Sequence, residues 1–103
     1  MRIDSYLNGL ECSVCEIEDA KRRHDSITEY ELVDISLDWD DIAGGVLPLL
    51  LADAEAGKMS PAQIDRLDAL LSRLRNVVDA LTHFDLAIPA RMERETRQLV
   101  IAA

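Results

Sequence analysis

The sequence predicts an all-α fold, an antiparallel bundle of four to five helices that forms a single helical domain over residues 1–103. Apolar residues recur at alternating spacings of three and four along most of the chain, which is the pattern of amphipathic helices. Most of these residues are Leu, Ile, Val and Ala, and the chain holds only four aromatic residues. A domain of this length can bury a core that needs neither a metal nor a disulfide.

The clearest helix begins at Ser60 and is predicted to run to Phe84. Ser60 and Gln63 have the spacing of a capping box, and Pro61 occupies the first helical position, where a missing N–H costs nothing. The apolar face that follows consists of Ile64, Leu67, Leu71, Leu74, Val78 and Leu81. We expect the other helices to pack on this face, and a short apolar connector over 86–89 to lead into a last helix ending near residue 100.

Residues 4–23 predict the first helix. Its apolar positions are Ile3, Leu7, Leu10, Val14 and Ile17. Cationic residues at 21–23 favour a helix end there, because cations complement the helix dipole. Cys12 and Cys15 fall in the middle of this helix, and we expect them to be buried or half-buried free thiols.

Two structures compete for residues 25–40. Ser26 with Glu29, and Thr28 with Glu31, have the spacing of two overlapping capping boxes, which favours a helix. Apolar and polar residues nevertheless alternate strictly over 33–39, which is typical of a strand. The sequence therefore predicts a helix here and leaves a strand over 33–39 as the alternative.

A further helix is predicted from residue 40 or 41 to residue 55 or 56, with Gly57 as its C-cap. Pro48 should kink this helix or restart it, because proline lacks an N–H and clashes with the preceding turn. Gly44 and Gly45 precede it, and they indicate either a close helix contact or the same kink.

Negative charge is concentrated in the first half of the chain. The net charge is −9; residues 1–57 carry fourteen Asp and Glu against four Lys and Arg, whereas residues 58–103 carry six against seven. This balance argues against direct nucleic-acid binding, which needs clustered Lys and Arg, and against an acidic membrane surface. We expect a protein partner with a basic surface.

The densest acidic stretch lies between residues 29 and 41 and is the predicted partner-binding site. Its members are Glu29, Glu31, Asp34, Asp38, Trp39, Asp40 and Asp41. Trp39 is the expected anchor, because aromatic side chains within a charged rim are common hot spots. The sequence leaves open a core position for Trp39 and a merely solvated acidic face. The expected rim of the site is formed by Asp4, Glu11, Glu16 and Glu18.

No residue pattern indicates catalysis, a cofactor or a metal site. The two cysteines lack the second Cys or His pair of a zinc site, and His83 follows Asp79 at the spacing of a helical surface pair. No run approaches the roughly 18 apolar residues of a membrane span, and the N-terminal residues lack the pattern of a signal peptide. We therefore expect a cytoplasmic protein that is not an enzyme.

The small size, the acidic charge, the helical content and the cluster over 29–41 resemble the small acidic immunity proteins of bacteria, those of contact-dependent growth inhibition and of nuclease colicins. The resemblance implies an inhibitor that binds and neutralises a cognate toxin domain, expected to be a nuclease, by covering its basic surface. The alternative is a helical adaptor or homodimer that uses the apolar stripe of the long helix, around Leu67 and Leu74.

Overall fold

Five α-helices and one π-helical turn account for most of residues 2–89, the residues that the computed structural model describes. The helices are α1 (Arg2–Arg22), α2 (Glu29–Asp41), α3 (Leu47–Glu55), α4 (Pro61–Arg75) and α5 (Val78–His83), and the π-helical turn is Ile42–Val46. No strand occurs among these residues, so the predicted all-α class is confirmed. The predicted last helix lies outside the described residues.

Residues 29–55 form one long helix in which the π-helical turn joins α2 to α3. The alternative of a strand over 33–39 is therefore wrong, and no new helix begins at residue 40 or 41. The alternation has a helical explanation. Ile35 and Trp39 are one turn apart on the inner face, whereas Val33 and Leu37 are one turn apart on the outer face. Helix α2 thus carries apolar residues on two faces, of which only one is covered.

Pro48 explains the π-helical turn. It has no N–H to donate to the Gly44 carbonyl, and its ring would clash with that carbonyl in a regular α-helix. The widened turn avoids this clash, and the N–H of Leu47 reaches back five residues to the carbonyl of Ile42. A Cβ added to Gly44 or Gly45 would meet no atom within 4 Å, so close helix packing does not account for their position.

Helix α1 lies between the long helix and α4. It runs antiparallel to the long helix, because Arg23 contacts Glu31 near one end and Arg2 contacts Asp53 near the other. It runs parallel to α4, whose Arg73 contacts Glu18. The core between these helices is built mainly from Leu7, Leu10, Val14, Ile17, Trp39, Leu47, Leu50, Leu67, Leu70, Leu71, Leu74 and Leu81.

The predicted helix ends at Gly57 and Ser60 are confirmed. Gly57 has a φ of 73°, and the N–H of Lys58 donates to the Asp53 carbonyl at 3.0 Å, as in a Schellman motif. The Gln63 N–H donates to Ser60 Oγ at 3.2 Å, and the Ser60 N–H donates to Gln63 Oε1 at 2.9 Å. Both bonds of the capping box are therefore present.

The predicted helix over 60–84 is interrupted. Helix α4 ends at Arg75, Val77 leaves the helical region with a φ of −118°, and α5 starts at Val78. The Nζ of Lys21 donates to the Asn76 carbonyl at 3.0 Å. A contact from α1 therefore satisfies a carbonyl that the interruption releases.

Helix α5 ends in a second Schellman motif, which anchors the apolar connector. The N–H of Leu86 donates to the Leu81 carbonyl at 2.8 Å, and Asp85 takes a left-handed φ of 57°. Leu86 is buried, and the carbonyl of the next residue, Ala87, accepts the indole N–H of Trp39 at 2.6 Å. This turn therefore holds the connector over the core side of α2.

We predict that Asp85→Gly raises the free energy of unfolding by about 0.5 to 1 kcal/mol, because glycine takes a left-handed conformation without a Cβ clash. The matched control is Asp68→Gly at an exposed position within α4, which should lower it by about 0.3 kcal/mol through helix propensity. Urea unfolding of both variants is the measurement. A loss of stability for Asp85→Gly would contradict the role assigned to this turn.

Candidate functional site

The acidic residues of α2 form two rows on its surface. Asp34, Asp38 and Asp41 follow Glu31 at three, seven and ten residues, so these four share one side of the helix. Glu29 and Asp40 are eleven residues apart, close to three turns, and share the other side. All six carboxylates lie at or near the surface, and Glu31 alone is half-buried. The helix thus brings the predicted residues together in two rows.

Trp39 does not belong to this surface. Its side chain is fully buried, and its Nε1–H donates to the Ala87 carbonyl. The expectation that Trp39 anchors a partner is therefore wrong for the folded chain. The reason is its register on α2, which places it one turn from Ile35 on the core face.

Glu31 is neutralised within the chain. Its two carboxylate oxygens accept from Arg23 Nη2 at 3.3 and 3.0 Å. By contrast, none of Asp34, Asp38 and Asp41 forms a side-chain hydrogen bond or ion pair with another residue of the described chain. Three carboxylates of this row remain available to an external cation.

Three of the four expected rim residues lie on the other flank of α1, against α4. Glu11 forms an ion pair with Arg66 at 2.7 Å, and Glu18 accepts from Arg73 Nε at 3.1 Å. Asp4 accepts from the side-chain amide of Gln63. These acids are therefore satisfied internally and stand apart from α2, and the rim prediction is wrong for them.

The fourth rim residue, Glu16, faces α2 and joins its acidic row. Partial burial of its carboxyl raises the pKa of Glu16, and the nearby carboxylates of Asp38 and Asp34 raise it further. The opposite holds for Glu18, because hydrogen bonds from Arg73 lower the pKa of Glu18. The pKa values of two acids on one helix, two residues apart, are thus shifted in opposite directions.

An open groove of about 430 Å³ lies between α1 and α2 at this place. Its polar lining consists of Glu16, Asp19, Arg23, Glu31, Asp34 and Asp38. Arg23 is the single cation of this lining, and it binds Asp19 and Glu31 at one end of the groove. Negative charge without a counterion therefore collects at the other end, around Glu16, Asp34 and Asp38.

Exposed apolar residues lie between the two acidic rows, and the sequence patterns did not single them out. The relative exposures of Tyr30, Val33 and Leu37 are 87%, 57% and 62%. A signal existed, because their spacing of three and four residues is a second apolar periodicity within one segment. The strict alternation over 33–39 overlaps this second periodicity in the sequence.

The cysteines and histidines are not arranged as the sequence predicted. Cys12 and Cys15 are exposed, which corrects the expectation of buried thiols, and Cys15 Sγ accepts from Arg73 at 3.3 Å. The expected pair of Asp79 and His83 does not form, because Asp79 binds Lys21 at 3.1 Å. Within residues 2–89, no group of three or more His, Cys, Asp or Glu side chains is arranged to hold a metal ion.

No helix within residues 2–89 combines the length and the apolar character needed to cross a bilayer. Comparison of the chain with protein-family models, curated protein sequences and solved structures gives no match.

We predict that Glu16→Gln stabilises the protein at pH 7 by about 0.5 kcal/mol or less, because it removes a carboxylate that is partly buried and is repelled by Asp38 and Asp34. Since the folded pKa of Glu16 is raised, this gain should be complete above that pKa. The gain should vanish as the pH falls below 4.5, the ordinary pKa of a glutamate carboxyl, because Glu16 is then protonated in both the folded and the unfolded chain.

Glu18→Gln is the matched control, with the opposite sign. It should lower the stability at pH 7 by about 0.5 kcal/mol, because the Arg73 pair is lost. This difference should disappear only as the pH falls through the lowered pKa of Glu18. Urea unfolding at several pH values measures the stability of both variants. Equal effects of the two substitutions would contradict the opposite pKa shifts of Glu16 and Glu18.

Proposed function

We propose that this chain is an immunity protein, which binds and neutralises a cognate toxin domain through the acidic side of α2 and Glu16. The observation that carries the proposal is the row of Asp34, Asp38 and Asp41, which faces solvent without a cation from the described chain. Glu16 adds a fourth carboxylate with a raised pKa beside it. The partner is a protein with a basic surface.

The carboxylates repel one another in the isolated chain, and a basic partner would relieve this repulsion. Neighbouring like charges on a helix cost a few tenths of a kcal/mol per pair. A surface of Lys and Arg would convert that cost into attraction, and the concentrated potential would speed the encounter. Because α2 is fixed to the core through Trp39, its acidic row is already ordered before binding, which lowers the entropic cost of association.

The other flank of α1 is less suited to such a partner. A cation that approached Glu11 or Glu18 would have to compete with Arg66 or Arg73. The binding free energy that such a cation could gain is the difference between its own ion pair with Glu11 or Glu18 and the existing pair with Arg66 or Arg73. This difference is small for surface groups. The contrast between the two flanks supports α2 as the binding side.

A nuclease is the toxin class whose surface fits these properties. A protein that cleaves nucleic acid must attract phosphates with clustered Lys and Arg. Carboxylates on a rigid helix can occupy that surface and exclude the substrate without any chemistry of their own. The proposed mode of action is therefore binding rather than catalysis, and the proposed location is the cytoplasm, where an intoxicated cell's nucleic acid lies.

The alternative of an adaptor or homodimer is not favoured in its predicted form. It requires the apolar stripe around Leu67 and Leu74, and these residues are 2% and 0% exposed. Their stripe packs against the chain's own helices and offers no surface for a second molecule.

The test uses the genes that flank the one for this chain, where a toxin with a basic C-terminal domain is expected. Co-expression of the chain with that domain should restore growth, and the purified pair should form a complex. The triple variant Asp34→Asn, Asp38→Asn and Asp41→Asn should raise the dissociation constant by about 100-fold, since each lost pair costs on the order of 1 kcal/mol.

The matched control neutralises three exposed acids elsewhere, through Glu55→Gln, Asp65→Asn and Asp68→Asn. It changes the net charge by the same amount and should leave the dissociation constant within about threefold, because long-range attraction is screened by salt. Equal weakening by the two triple variants would reject α2 as the site. Full growth rescue by the first triple variant would reject the proposed function of that surface.

A further inference from the structure

Helix α2 carries an exposed apolar ridge, the α2 ridge, which consists of Tyr30, Val33 and Leu37. Leu37 also lines the groove between α1 and α2. The three residues are spaced by three and four, so their side chains are neighbours on successive turns. They are three of the four large apolar side chains that are strongly exposed within residues 2–89, and Tyr30 is 87% exposed. The fourth, Leu49, lies on α3.

The α2 ridge is bordered by carboxylates on both sides. Asp34 and Asp41 lie along one border, and Glu29 and Asp40 lie along the other. Single exposed apolar residues are ordinary on a protein surface, but an apolar patch with a polar rim marks a site of interaction. The ridge with its two borders has the layout of an interface, with an apolar centre and a charged edge.

We propose that the α2 ridge inserts into an apolar groove of a basic partner protein whose Lys and Arg side chains line both edges of the groove. This inference rests on the proposed function and deepens it, because it names the apolar contact and the chemistry of the surface that receives it. Amphipathic helices bind grooves in this way, through anchors spaced by three and four residues. Tyr30 takes the role of aromatic anchor that the sequence had assigned to Trp39.

The charges on the two borders select this occupant over others. A second copy of the chain docked ridge to ridge would bring carboxylates of one α2 against carboxylates of the other, which is unfavourable. A groove lined with Lys and Arg would instead pair with both borders while its apolar floor covered Tyr30 and Leu37. The partner is therefore a basic protein with an apolar groove, rather than this chain itself.

The test needs no toxin, because a defined peptide can stand in for the groove. The probe is a fluorescent amphipathic helical peptide with Leu on one face and Lys along both edges, and its control peptide has Ser in place of every Leu. We expect the Leu peptide to bind the full chain at least tenfold more tightly than the Ser peptide, as measured by fluorescence anisotropy.

Leu37→Ser and Leu49→Ser are the matched variants, since both replace an exposed Leu within the long helix. Leu37→Ser should weaken binding of the Leu peptide about tenfold, and Tyr30→Ser should do the same, whereas Leu49→Ser should have no effect. Circular dichroism confirms that each variant is folded. Equal binding by the two Leu variants, or equal binding of the two peptides, would overturn the inference.

Other occupants give distinct results. A dimer in sedimentation equilibrium that Leu37→Ser dissociates would assign the ridge to a second copy and overturn the inference. The triple variant Arg91→Gln, Arg94→Gln and Arg97→Gln removes three cations from the C-terminal part of the sequence. If this variant binds the Leu peptide tenfold more tightly, the ridge is assigned to the chain's own C-terminal segment and the inference is overturned.

The test also separates failure of the ridge from failure of the proposed function. If Leu37→Ser binds the Leu peptide normally while the triple Asp variant loses the toxin, the ridge is rejected and the toxin inhibitor stands. If Leu37→Ser abolishes peptide binding while the wild-type chain leaves the toxin active, the toxin assignment is rejected and the groove-binding surface stands.

Discussion

The central position of α1 determines where this protein is charged. Its side towards α4 matches acids with arginines, as in the pairs of Glu11 with Arg66 and Glu18 with Arg73. Its side towards α2 brings Glu16 beside Asp34 and Asp38. Among the described residues, α1 thus separates a flank of paired acids from a flank where Glu16, Asp34 and Asp38 have no counterion.

Burial of Trp39 determines which residues of α2 face the core and which face solvent. Its hydrogen bond to Ala87 fixes the rotation of α2 about its own axis, because the bonded side of the helix must face the core. The same rotation turns Asp34 and Asp41 outwards and exposes Tyr30 between the rows. Trp39, which was expected to contact a partner, instead determines which residues of α2 are exposed. This order before binding would lower the entropic cost of the proposed association.

The sequence predicted the parts of the structure that depend on local rules. Gly57 and the Ser60–Gln63 pair act within one helix turn, and their caps formed as expected. Three other outcomes depended on distant contacts. The helix over 60–84 is interrupted where Lys21 binds the Asn76 carbonyl. Packing of Trp39 determines which face of α2 lies in the core. Arg23 binds Glu31 and so neutralises one acid of the predicted site. None of these contacts can be read from spacing alone.

A nuclear magnetic resonance titration with hexalysine can locate the carboxylates without a counterion that we assign to α2 and Glu16. Hexalysine has positive charge and no groove, so it reports where the potential is concentrated. We expect the amide shift changes to be largest over residues 34–41 and at Glu16, and we expect added salt to remove them. Equal or larger shift changes at Glu11 and Glu18, on the flank that faces α4, would show that the negative potential is not concentrated on α2 and Glu16.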